Sequence, residues 1–239
     1  MNAVFGELRG FLDGLVDVAF PRRCASCSRI GASPFCASCH AALVEAGDVR
    51  IPRIDLAAAA FEYGGPVVRA IWRLKYEGRA ELGHALGSAM RAKLSTLEPF
   101  DVVAPIPLSP SRQRTRGYNQ ALELAIGLRA GKVRLGLLRK DDEGRQVGRT
   151  REARREHARG AFLARGRELA GRRVLLVDDV VTTGATLEAA AEAARQGGAR
   201  SVQAIALARA EARWSDDGRM TQPRQNGDSP SALPARRSS

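Results

Sequence analysis

Hydrophobic positions along this chain fall into two patterns. The first is the short, nearly unbroken apolar run. Residues 56–63, 101–107, 133–138, 173–177 and 201–208 are of this kind, and such runs, bounded by turn residues, predict strands buried on both faces. The second is helical spacing. Phe5, Leu8, Leu12, Leu15, Val16 and Ala19 recur at that spacing and predict an amphipathic helix ending before Pro21. Gly64, Gly65 and Pro66 open another helix carrying Val67, Val68, Ile71, Trp72 and Leu74. Residues 81–97 predict a third helix, stopped near Pro99, and residues 119–129 a fourth, followed by Gly131. Residues 186–196, rich in alanine, predict a fifth, which Gly197 and Gly198 end. Strands alternating with helices predict an α/β fold: a mainly parallel sheet flanked by helices. Between these elements, residues 44–55 with Pro52 read as a polar connector and residues 139–160 as a long basic loop without periodicity. From Trp214 onward Pro, Ser, Arg, Gln and Asn dominate, and a disordered tail is expected. The expected organisation is a helix over 1–21, a cysteine-rich segment over 22–48, an α/β domain over 55–212 and a tail over 213–239. No run approaches the ~18 apolar residues of a membrane-spanning helix.

Composition changes the picture in one respect. Hydrophobic residues at 44% and charged residues at 27% are ordinary for a globular chain, and aromatics at 5% mean a core of Ala, Val, Leu and Ile. The net charge of +12 is less ordinary. Only Lys75, Lys93, Lys132 and Lys140 among the 38 basic residues are lysines. Arginine presents the planar fork that matches phosphate, so phosphate-bearing partners are expected, with a solvated basic surface as the alternative. Residues 109–160 hold fourteen Lys/Arg and six Asp/Glu, so most of the excess is concentrated there. That concentration invites single-stranded DNA as a partner, although Tyr118 and Phe162 are nearly its only aromatic neighbours and stacking platforms need aromatics. Acidic residues interrupt the first apolar positions, so no secretory signal is expected and a cytoplasmic location follows.

All four cysteines lie in one short stretch, Cys24-x2-Cys27-x8-Cys36-x2-Cys39. Two such knuckles place four thiolates around one zinc, a closed and therefore structural site. A pair of disulfides and a redox Cys-x-x-Cys are the alternatives. His40 follows the last cysteine, as a substitute ligand or a neighbour of the metal site.

The densest chemistry lies at residues 174–186, VLLVDDVVTTGAT. An apolar strand runs into two acids, then a hydroxyl-rich turn, then a helix. The turn lies beyond the carboxyl end of a parallel strand, where ligands bind in open α/β sheets. Free N–H groups and the helix dipole favour a phosphate there, Gly184 lets the backbone approach it, and Asp178 and Asp179 are placed for sugar hydroxyls.

This run resembles the PRPP-binding signature of type I phosphoribosyltransferases. With residues 104–120 (APIPLSPSRQRTRGYNQ), the cysteine ribbon and the Lys75-Tyr76 helix end, the chain resembles the ComF family of competence-associated, phosphoribosyltransferase-like proteins with an N-terminal zinc ribbon. The resemblance spans roughly residues 5–210. It implies a type I phosphoribosyltransferase-like sheet with a small N-terminal zinc ribbon over 22–48. Asp178 and Asp179 would hold the ribose 2′ and 3′ hydroxyls, and Val180, Val181, Thr182, Thr183, Gly184, Ala185 and Thr186 would line the PRPP site, with the last five on its 5-phosphate. The turn after residues 101–107 would be the pyrophosphate loop, with Arg112, Arg114 and Arg116 beside it, and residues 146–162 a loop that closes over the site. Mg²⁺ would accompany PRPP. The sequence departs from the family's usual pattern at His157, Arg149, Ser109 and Ser111. Two functions follow: transfer of a phosphoribosyl group to an unidentified acceptor, or a non-catalytic nucleic-acid or protein binding module serving DNA uptake or recombination, with competence or recombination proteins as partners.

Overall fold

A computed structural model describes residues 22–139, 161–210, 213–214 and 220–221 of the chain. Its central sheet has the order β1-β7-β6-β2-β3 and every neighbouring pair is parallel. The strands are β1 (Ala57–Glu62), β2 (Val102–Pro105), β3 (Lys132–Val133), β6 (Arg173–Val181) and β7 (Ser201–Arg209). A separate antiparallel pair, β4 (Leu137–Arg139) and β5 (Phe162–Ala164), joins the two ends of the basic loop, whose residues 140–160 lie outside the described ones. The helices are α1 (Ala37–Ala41), α2 (Gly65–Tyr76), α3 (Glu81–Ala89), α4 (Pro110–Arg116), α5 (Gln120–Leu128) and α6 (Ala185–Gln196).

The apolar runs are uninterrupted because both faces of the sheet are covered. On one face, Leu175, Val177, Ile205 and Leu207 pack with Ile71 and Leu74 of α2, Leu82 and Leu86 of α3, and Leu124 and Leu128 of α5. On the other, Val174, Leu176, Val202 and Ala204 pack with Leu187 and the alanines of α6. Small residues let these layers approach closely. A Cβ on Gly87 would lie 2.2 Å from the Leu124 carbonyl oxygen, and one on Gly127 would lie 2.2 Å from that of His84, so α3 and α5 cross backbone to backbone. The cysteine segment joins the first core through Phe35, whose ring meets Phe61 edge-on at 6.2 Å.

Five expectations change. The 133–138 run is two short strands in two different sheets. The 81–97 helix is α-helical to Ala89 and continues as 3-10 turns over Met90–Thr96. The 173–177 strand continues to Val181, because Asp178 and Val180 keep their pairing with Ala206 and Ala208. The turn expected after β2 holds a helix instead: Ser109 caps α4 and accepts the Arg112 N–H, Pro110 fits its first turn, and Gly117 at φ 77° ends it. The connector over 44–55 is also less polar in effect than in composition, since Ile51 is buried against Gly184. The helix over 5–19 lies outside the described residues. So does the tail, apart from the antiparallel pairing of Arg213–Trp214 with Met220–Thr221.

Candidate functional site

Sheet order locates the site. From β2 the chain moves outward to β3, and from β6 it moves the other way to β7. The connections therefore diverge between β2 and β6, and the crevice beyond the carboxyl ends of two such strands is where open α/β sheets bind ligands. Pro105 pairs with Val177 at that edge. Beyond it lie residues 106–119 from β2 and residues 178–186 from β6.

On the β6 side, Asp178 and Asp179 are the last polar residues of the strand. The Asp179 N–H donates to Asp178 Oδ1 at 2.8 Å. Asp179 is 6% exposed, and its inner carboxylate oxygen meets the ammonium of Lys75 at the end of α2. Burial alone would lower the Lys75 pKa, but the charge and hydrogen bonding of Asp179 outweigh it and hold the ammonium above its ordinary value. Among the described residues Asp178 forms no ion pair of its own. Burial, and then repulsion from Asp179, pushes its carboxyl up to about 8. Val180 and Val181 remain in the β6 ladder, and Val181 is buried in the core. Thr182 and Thr183 are exposed, and Gly184, at φ 78°, turns the chain into α6 without a side-chain cap of its own. The Ala185 N–H donates to Thr183 Oγ1 at 3.4 Å, and Thr186 is exposed on the first turn. The start of α6 thus presents backbone N–H groups and hydroxyls to solvent beside the acid pair.

On the β2 side, the Asn119 amide donates to the Ile106 carbonyl while its oxygen caps α5, so both ends of 106–119 are tied together. Arg116 stacks its guanidinium 5.3 Å from the Tyr76 ring centre, and the Tyr118 hydroxyl donates to the Leu74 carbonyl. These contacts bring Arg116 to the end of α2, next to Lys75. Arg112 and Arg114 are exposed on α4. Lys75 is the functional candidate whose part sequence reasoning missed: the Lys75-Tyr76 pair stood out there only as a family likeness, and its bond to Asp179 joins residues far apart in the chain.

The four cysteine sulfurs lie within 4.8 Å of one another. None is bridged, and Cys27 and Cys36 Sγ are 3.6 Å apart. Tetrahedral ligation with metal–sulfur bonds of ~2.3 Å places sulfurs about 3.8 Å apart, so the cluster can hold one metal ion. Burial pushes the Cys39 thiol up to about 11, while the Ser38 hydroxyl draws Cys36 down to about 6. The segment is fastened to α2, where Arg69 Nε donates to Ser26 Oγ at 2.9 Å and Arg73 donates to the Cys24 carbonyl at 3.3 Å. One helix therefore contacts both the cysteine cluster and the acid pair.

A cavity lies elsewhere. About 810 Å³ in volume, it lies between the cysteine segment and α3/α5, and Arg22, Arg23, Arg79, Arg91, Arg129 and His84 line it. Neither Asp178 nor Asp179 lines it. No helix among the described residues is long and apolar enough to cross a membrane.

Residues 114–222 match the phosphoribosyl transferase domain family. The chain is 31% identical over 216 residues to competence protein F of Haemophilus influenzae, covering 82% of this chain and 94% of that one. It is 33% identical over 164 residues to the DNA utilization protein YhgH of Escherichia coli, covering 62% of this chain and 69% of that one. Among solved structures, the allosteric regulatory enzyme of purine biosynthesis aligns at 27% identity with a TM-score of 0.37, over 54% of this chain and 25% of that one.

Proposed function

Because the chain belongs to the ComF family of competence proteins that carry a phosphoribosyltransferase domain, we propose that it binds PRPP, or a related ribose 5-phosphate ligand, at the carboxyl edge of β2 and β6. The observation that carries this reading is the continuous 178–186 segment. An acid pair at the end of a central strand leads directly into a left-handed glycine and an uncapped helix start. In the bound state the N–H groups of the first turn of α6 and the hydroxyls of Thr182, Thr183 and Thr186 hold the 5-phosphate. Asp178 and Asp179 take the ribose hydroxyls, with Lys75 paired to Asp179 and holding it in place. Arg116, at the end of α2, faces the side from which pyrophosphate leaves. Mg²⁺ bound with the ligand's pyrophosphate would supply charge neutralisation to that leaving group.

Transfer follows from the same placement. The C1–oxygen bond to pyrophosphate breaks, pyrophosphate departs with the electron pair, and an acceptor nucleophile bonds to C1. The chain's contribution is positioning and charge stabilisation. The cysteine cluster would hold zinc as a structural ion, and its segment is fastened to the middle and last turn of α2 through Arg69 and Arg73.

The test is thermal unfolding with PRPP and Mg²⁺. Ligand at a hundred times its dissociation constant stabilises by about 2.7 kcal/mol, so the midpoint should rise with PRPP concentration. A midpoint indifferent to PRPP up to millimolar levels sinks the reading. The arginine-lined cavity favours a second reading, a non-catalytic site for single-stranded nucleic acid. Binding there would weaken steeply with added salt, and a flat salt response would remove it.

A further inference from the structure

The cavity between the cysteine segment and α3/α5 is cationic in a way the acid pair does not account for. Five of its fourteen lining residues are arginines, and they come from separate stretches of the chain: Arg22 and Arg23 from the ribbon, Arg79 and Arg91 from either side of α3, and Arg129 from the end of α5. Glu81 is the one acid in the wall among the described residues, and its carboxylate accepts from Arg79 Nε at 2.7 Å. His84 is taken by Glu123 at 3.0 Å. Arg23, Arg91 and Arg129 pair with no acid among the described residues. Five arginines against one glutamate leave the wall a net charge of +4.

Stability does not explain that grouping. Arg22, Arg23, Arg91 and Arg129 are exposed, and like charges gathered on one concave wall repel. Arg129 also stands at φ 48°, the left-handed position after a helix where glycine or asparagine is usual. An anion in the cavity would relieve the repulsion, and charge and size select its class. A volume of about 810 Å³ lies within the ~300–1,000 Å³ of small-molecule pockets. A chain of three phosphates carries about −4 near neutral pH, which matches the wall, and the arginine fork takes two phosphate oxygens at once. A nucleic-acid strand fits less well. It separates its phosphates by nucleosides, and no Phe, Tyr or Trp lines the cavity to stack their bases.

We propose that this cavity binds a small molecule carrying a chain of two or more phosphates, at a site separate from the carboxyl edge of β2 and β6. Arg91 and Arg129 hold the chain, and Leu82 and Ile126 give the cavity an apolar side on which the rest of such a molecule can lie. The site is independent of the ribose 5-phosphate reading. Single-stranded nucleic acid is the competing ligand that the experiment separates.

The experiment is isothermal titration of the full chain, without Mg²⁺ or PRPP, with inorganic triphosphate as the probe and ATP, citrate and a short oligo-dT strand as comparisons. Triphosphate should bind saturably, one per chain, and about tenfold or more tightly than citrate. Arg91→Gln/Arg129→Gln should weaken it about a hundredfold, a factor of ten for each charged hydrogen-bonding partner removed. Both residues are exposed, so the variant should keep the parent's Tm and its response to PRPP with Mg²⁺. Arg116→Gln, on the other side of the molecule's proposed chemistry, should leave triphosphate binding as it is. ATP at or above the affinity of triphosphate assigns the site to nucleoside polyphosphates, and ATP below it to inorganic chains; either supports the proposal. No triphosphate binding by the wild type, equal binding by Arg91→Gln/Arg129→Gln, or an equal loss in Arg116→Gln would overturn it. So would an oligo-dT strand that binds the wild type and not the Arg91→Gln/Arg129→Gln variant while triphosphate binds neither. The PRPP titration reads the carboxyl edge separately, so failure of either site leaves the other standing.

Discussion

Gly184→Ala is the smallest change that probes the start of α6. At φ 78° an L-residue costs about 1–2 kcal/mol more than glycine. The new methyl carbon would also sit 2.9 Å from Ile51 Cγ2 and 3.0 Å from Cγ1. Ile51 is buried and has little room to retreat, so overpacking adds about 1–3 kcal/mol. The total is about 2–5 kcal/mol. For a chain of this size that corresponds to a fall in Tm on the order of 5–15 °C, measured by calorimetric unfolding. Titration with PRPP and Mg²⁺ should show weakened binding as well, because the N–H groups that hold the phosphate follow the displaced residue. The two costs are separable. Ile51→Ala removes the colliding carbons but not the backbone strain, so in a double-mutant cycle the pair should cost less than the sum of the single changes by about 1–3 kcal/mol. A strictly additive cycle, or a Gly184→Ala protein as stable as the parent, would refute the assignment of Gly184 to a strained, tightly covered turn.

Three further outcomes follow. Gly87→Ala would stabilise an exposed helix by about 1 kcal/mol, but here the methyl group would meet the Leu124 carbonyl, so Tm should fall; a rise would contradict the close crossing of α3 and α5. Asp178 is raised in the folded chain, so the folded state holds its proton more tightly than the unfolded state, and its contribution to stability declines as pH rises from the ordinary carboxylate range to about 8. Asp178→Asn should remove that decline and stabilise the protein at pH 8–9 on the order of 1–3 kcal/mol, read as Tm against pH; parallel profiles for the two proteins would refute it. Metal analysis should find one zinc per chain, and chelation should lower Tm because the ribbon is fastened to α2 and shares its core; a chelator-indifferent Tm would end the zinc assignment.

What the sequence disclosed follows from the kind of signal each feature leaves. The buried strands β6 and β7 were legible because both faces of a parallel sheet are apolar, and an unbroken run records that directly. The acid pair and the Thr-Thr-Gly turn were legible because they are contiguous. Helix α4 was not, since Pro-Ser-Arg-Gln-Arg-Thr-Arg has no apolar face and all of its side chains stay outside the core; only its cap and its terminating glycine mark it. Ile51 lies in a connector whose composition reads as polar, and its burial depends on Gly184 arriving from far along the chain. The bond between Lys75 and Asp179 and the stacking of Arg116 on Tyr76 are likewise products of tertiary packing, which no local pattern encodes. Among the described residues, arginines line a cavity by the ribbon and stand exposed on α4, while the segment proposed to hold phosphate depends on backbone and hydroxyl groups.

The most direct test of the account is isothermal titration of PRPP with Mg²⁺ into the wild-type chain and into Asp178→Asn/Asp179→Asn. The account predicts saturable binding by the wild type and binding at least about a hundredfold weaker in the variant, with the variant still folded. Equal binding by the two proteins, or none by the wild type, would contradict it.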